Sequence, residues 1–249
     1  MKQIFAFESK DEYEKHQDII QRFIIKLKTY QQVLEDSYAL TEKPNAIVWT
    51  NEEIATTVFS DLPIPAYTNK NTIYMSPDLA TWRKIFLEQL EGKELPIIQE
   101  FYENLSENQV FIILAHELTH HSALFLDEFE DEREDSIWFE EGMCFYLPRK
   151  TLLDEQDFNR ITLVEMTLVE NFKSTYGKHS IDQFGIHSYN GSLTSIMFDY
   201  WRSYLAVKYL VEVRFNHDIH AVFEEYHKWS KGGRDVPLSQ YFGITALFD

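Results

Sequence analysis

The chain has 249 residues, 44% apolar and 15% aromatic, and a formal net charge of −18. That length allows one domain, or one domain of two lobes, around a sizeable core, and the composition excludes a disordered chain. So acidic a surface repels phosphate backbones, so no nucleic-acid partner is expected, and the single cysteine, Cys144, excludes an intramolecular disulfide.

The first residues, MKQIFAFESKDEYEK, carry no apolar core of the kind a secretory leader needs, and no run approaches 18 apolar residues. A cytoplasmic protein with no membrane association is the expectation. Residues 8–36 predict a long amphipathic helix, because Ile19, Ile20, Phe23, Ile24, Leu27 and Tyr30 recur at three- and four-residue steps. The β-branched and aromatic stretches at 45–50 and 57–77 predict short strands, the last being Asn71-Thr72-Ile73-Tyr74-Met75-Ser76.

Helical patterns follow at 78–91, 95–104 and 107–125. The third has a marked start: Ser106 and Gln109 match a capping box, and Leu105 can pack on Val110. Residues 127–135, mostly acidic, predict a solvated connector, or a rim that attracts basic peptides. A second apolar helix begins at Ser136 and is expected to stop at Pro148. Further helices are predicted at 151–176, 193–214 and 217–230, with a loop at 176–192. Few early strands and many late helices predict an α+β fold, with a lobe of about 1–125 and a helical lobe of about 126–249.

The third helix contains His116-Glu117-Leu118-Thr119-His120. On a helix the two histidines stand one turn apart on one face and can reach one ion at about 2.0–2.1 Å. Glu117 points about 100° away, too far to be a third ligand but near enough to touch a metal-bound water. The bland alternative is a core helix whose histidines have backbone or carboxylate partners. Ile112, Ile113, Leu114 and Ala115 make burial of three polar groups there costly without a purpose. A zinc site needs a third protein ligand and an open position. Glu140 and Glu141, set among Trp138, Phe139, Met143 and Cys144, supply it: apolar neighbours leave room for only one of the pair to face solvent.

Taken together, His116-Glu117-x-x-His120 and, about 20 residues further on, Trp138-Phe139-Glu140-Glu141-Gly142 resemble the gluzincin clan of zinc metallopeptidases, and its aminopeptidase-N-like branch in particular. The resemblance covers residues 110–146. It implies a zincin-like fold with a small mixed sheet and an active-site helix, followed by a mostly helical lobe. It also implies one Zn²⁺ held by His116, His120 and Glu141, with Glu117 as general base toward the zinc-bound water, and a peptide or protein substrate. The matching of Trp138 and Gly142 assigns the ligand to Glu141 rather than Glu140. The family's oxyanion-stabilising tyrosine is matched by Tyr189, in a segment with Gly191 one position early; His187, Tyr200 and Tyr204 are rivals.

Several features depart from the branch. No Gly-x-Met-Glu-Asn segment, which grips a free substrate N-terminus, occurs, so the resemblance does not carry aminopeptidase activity. Ser136 stands where an Asp is frequent and Cys144 where Ala is usual, the cysteine reading as packing. His121 points about 100° from His120, toward the periphery or the surface. The strand ending at Ser76 resembles the edge strand that lines the zincin cleft. A different class of function, a peptide- or protein-binding descendant that does not cleave, is the alternative; the intact Glu117 argues against it.

Overall fold

Residues Lys2–Ala6 form a strand that periodicity does not announce, because Ile4 and Phe5 are exposed along a sheet edge. The computed structural model describes residues 1–127, 129, 135–185 and 188–248. Over these the fold is α+β, and it divides into two compact units, Met1–Phe125 and Leu126–Asp249.

In the first unit, β1 (Lys2–Ala6) leads through α1 (Lys10–Ser37) to β2 (Ala46–Thr50), which lies parallel to β1 as a crossover connection allows. Ser9 caps α1 by accepting from the Glu12 amide, and the helix buries Ile20, Phe23, Leu27, Tyr30 and Leu34. All five residues of β2 are buried, the pattern of an interior strand covered on both faces. A short helix α2 (Glu52–Ile54) continues as a wider turn over Ala55–Phe59, so residues 57–59 are helical rather than extended. Strands β3 (Ala66–Asn69) and β4 (Thr72–Met75) form a hairpin, giving the sheet order β1-β2-β4-β3. The Asn71–Ser76 strand is therefore interior, paired parallel to β2 and antiparallel to β3; the edge is β3.

Helices α3 (Leu79–Glu88), α4 (Pro96–Glu103) and α5 (Glu107–Thr119) complete this unit. The capping box at Ser106 forms in both directions. The last helix ends at Thr119, not near 125. Its continuation would cost Ser122 and Ala123 their bonds to the carbonyls of Tyr38 and Ala39, which draw the chain away.

The second unit is helical among its described residues: α6 (Ile137–Leu152), α7 (Glu155–Tyr176), α8 (Leu193–Tyr209), α9 (Ile219–Lys231) and the short α10 (Leu238–Tyr241) and α11 (Thr245–Phe248). The loop after α7 contains a single 3₁₀ turn, Ile181–Gln183. Pro148 does not end α6. It removes one helical hydrogen bond, but Tyr146, Leu147 and Arg149 are buried around it and hold the helix to Leu152. At Gly142 α6 approaches α8 closely: a Cβ there would lie 2.4 Å from the Ser203 carbonyl oxygen and 2.6 Å from Val207 Cγ2. Of the acidic connector, residues 128 and 130–134 lie outside the described residues; Asp127 and Asp135 both bind Arg234. Among the described residues no helix is long and apolar enough to cross a membrane.

Candidate functional site

The first unit holds α5 rigidly. Arg22 on α1 grips Glu107 with two bonds of 2.8 and 2.9 Å, Phe23 packs on Phe111, and Tyr30 bonds Thr119 at 2.8 Å. The Thr119 hydroxyl also bonds the Ala115 carbonyl, so one face of α5 is fixed to α1 along its whole length. About 100° round the axis from that face stand His116 and His120. Their Nε2 atoms approach to 3.1 Å, with rings nearly perpendicular at 79°. His116 and Glu117 are buried, at 4% and 6% exposure.

The separation of the two nitrogens is informative. Ligands at about 2.05 Å from one tetrahedral ion lie about 3.3 Å apart, close to the 3.1 Å found. The same distance also permits one imidazole N–H to donate to the other ring when no ion is bound.

His121 turns the other way. It is half-buried, with Nε2 2.8 Å from the Thr68 hydroxyl of edge strand β3. Burial, with a smaller contribution from His120, pulls its pKa down to about 3, so the ring is neutral and ties α5 to the sheet edge.

In the second unit, Glu140 and Glu141 are both buried, at 3% and 8%. The apolar neighbours predict that at least one of the pair is buried; both are, because α6 is covered on several sides. Phe139 stacks on Tyr226 and Phe242, Gly142 presses on α8, and Trp138 donates to Asp182 at 2.9 Å. Ser136 spends its hydroxyl on Asp127 rather than capping α6. Cys144 is a buried, unoxidised core residue.

The tyrosines separate by environment. Tyr189 is half-buried in the loop before α8, and its hydroxyl lies 3.2 Å from that of Tyr200. Tyr200 packs edge-on against Phe145, one turn beyond Glu141 on the same face of α6. Tyr204 is fully buried, bonds Thr162 at 2.7 Å and lies 4.2 Å under the Arg149 guanidinium. Burial pushes its phenol up to about 12, and it is a structural residue. His187 lies outside the described residues.

A cluster that spacing did not point to fixes this loop. Asp199, fully buried on α8, binds Arg202 Nε at 2.6 Å and His179 Nε2 at 3.0 Å, and accepts from the Ser188 hydroxyl. The signal available in the sequence was an Asp and an Arg three apart inside an otherwise apolar helix. The chain matches no family model, no characterised protein and no solved structure in comparisons with known proteins.

Proposed function

We propose that the chain is a zincin-like, zinc-dependent metallopeptidase of gluzincin type, with His116, His120 and Glu141 as ligands. The observation that carries this reading is the 3.1 Å approach of the His116 and His120 Nε2 atoms beside a buried Glu117. Two neutral imidazoles and a carboxylate are the donor set that suits Zn²⁺. Zinc bound there supplies Lewis acidity and brings the pKa of water toward 7.

The remaining chemistry belongs to the chain. Glu117 accepts a proton from the attacking water and returns it to the leaving amine, the two halves of general acid–base catalysis. Its burial at 6% exposure limits competing solvent contact. Tyr189 donates to the oxygen of the peptide carbonyl as negative charge builds there. The substrate is a peptide or protein segment.

The test is zinc quantification on the wild type and Glu141→Gln, paired with a peptide-library cleavage profile of the wild type. One zinc per chain, lost in Glu141→Gln, and cleavage by the wild type are the expected results. A chain that purifies without zinc and takes none up sinks the reading in favour of a peptide-binding protein, in which the two histidines simply bond each other.

A further inference from the structure

We propose that Tyr200 is a positioning residue that holds the Tyr189 hydroxyl as a hydrogen-bond donor toward bound ligand. With the peptidase reading, on which this last step rests, that ligand is the peptide carbonyl under attack.

The geometry is a two-rung clamp. Consecutive loop residues Ser188 and Tyr189 meet consecutive helix residues Asp199 and Tyr200, the first rung through hydroxyl to carboxylate and the second through hydroxyl to hydroxyl. The first rung is deeply buried: Ser188 and Asp199 have no exposure, and Arg202 and His179 hold the carboxylate from other sides. The bond from the Gly191 amide to the Ser188 carbonyl, 2.9 Å, closes the turn. The loop therefore cannot slide along α8 without breaking a buried, charge-assisted bond.

The second rung sits on aromatic supports. The Tyr200 ring stands edge-on to Phe145 at 5.5 Å and to Phe184 at 5.1 Å, and Phe184 also packs on Tyr189 at 5.7 Å. Both phenols are half-buried, unlike Tyr204 in the core. In an O–H···O pair one hydroxyl gives its proton to the other, and the acceptor's own proton is directed to a third group. Donation from Tyr200 to Tyr189 makes Tyr189 that donor and strengthens it by polarisation. Phe145 shares a face of α6 with Glu141, so the pair stands on the side of the helix that carries the proposed ligand.

The experiment uses the full chain labelled with ζ-¹³C-tyrosine, the Tyr189 resonance being assigned by its loss in Tyr189→Phe. Tyr200→Phe keeps the ring and removes only the hydroxyl. It is expected to raise the titration midpoint of Tyr189 by about half a pH unit or more, since the phenolate loses a donor. Against a cleaved peptide, Tyr189→Phe lowers kcat roughly 100-fold. Tyr200→Phe lowers it roughly 10-fold with KM unchanged, as a residue acting through another does, and the double variant matches Tyr189→Phe alone. An unaltered Tyr189 resonance and midpoint in Tyr200→Phe overturns the proposal, as does a double variant whose loss is the product of the two single losses. If the wild type cleaves no peptide, the peptidase reading falls and the resonance alone decides the role of Tyr200.

Discussion

Arg149 on α6 and His116 on α5 are equally buried, at 4% exposure, yet their polar groups meet different kinds of partner. Arg149 meets its opposite: Glu165 takes both terminal nitrogens at 2.8 and 2.6 Å, and Tyr204 and Phe145 lie against the guanidinium at 4.2 and 4.7 Å. That cluster is charge-neutral and bidentate, with Arg149 Nε left without a hydrogen-bond partner among the described residues, and it joins α6 to α7. His116 instead meets its like. Two imidazole nitrogens converge at 3.1 Å with a carboxylate residue next in sequence, and one shared proton is the most the pair can hold between them. Opposites that pair make structure; like donors aimed at one point make a place for something else.

The largest effect expected from breaking this contrast lies on α5. Glu117→Gln keeps the shape and removes the proposed base, so kcat on a cleaved peptide is expected to fall by roughly 10²- to 10⁴-fold while zinc content stays at the wild-type level. Undiminished turnover on every cleaved peptide would strike out this role for Glu117. On the other side, Glu165→Gln removes the charge that balances Arg149. An uncompensated buried guanidinium costs about 3–5 kcal/mol, readable as a lower urea midpoint for the second unit, with zinc content unaltered. A change below about 1 kcal/mol would mean that water reaches Arg149 and screens its charge.

Those two sites differ also in how far they were legible beforehand. The α5 constellation rests on local geometry: three- and four-residue periodicity and a capping box define the helix, and the helix sets which way His116 and His120 point. The same periodicity gave α1, α3 and α4 nearly to their ends. It failed where a tertiary bond outweighed a local preference. Ser122 and Ala123 bond the loop after α1 and stop α5 at Thr119; buried Tyr146 and Arg149 carry α6 past Pro148. β1 was silent because both of its bulky apolar side chains, Ile4 and Phe5, are exposed at an edge. In the second unit, the burial of both Glu140 and Glu141 depends on Phe139 and Gly142 meeting other helices, which no spacing within α6 states. The pairing of Tyr189 with Tyr200 follows from Ser188 reaching Asp199, a contact eleven residues away that has no periodic signature.

The helix that carries Glu141 offers a third, smaller test. Gly142→Ala places a methyl 2.4 Å from the backbone oxygen of Ser203, which cannot rotate away as a side chain can. Helix α6 must separate from α8, at about 1–3 kcal/mol for overpacking. Because Glu141 is the next residue and Phe145 supports Tyr200, the variant is expected to weaken zinc binding as well as stability. Zinc affinity equal to wild type would show that Gly142 serves packing alone.

The smallest effect separates Tyr204 from Tyr189, two phenols in one unit with opposite settings. Tyr204→Phe removes one buried hydrogen bond, but Thr162 keeps its bond to the Phe158 carbonyl, so the loss at neutral pH is about 1 kcal/mol. Burial raises the folded Tyr204 pKa to about 12 from an ordinary 10. The folded state therefore holds a proton that the unfolded state releases between those values. The resulting stability is complete below pH 10 and is lost as pH climbs toward 12. Tyr204→Phe should flatten that part of the alkaline stability curve and leave turnover unchanged. A fall in kcat with intact stability would instead return Tyr204 to the candidates for the oxyanion donor, and the cluster around Arg149 would have to be read as part of the site.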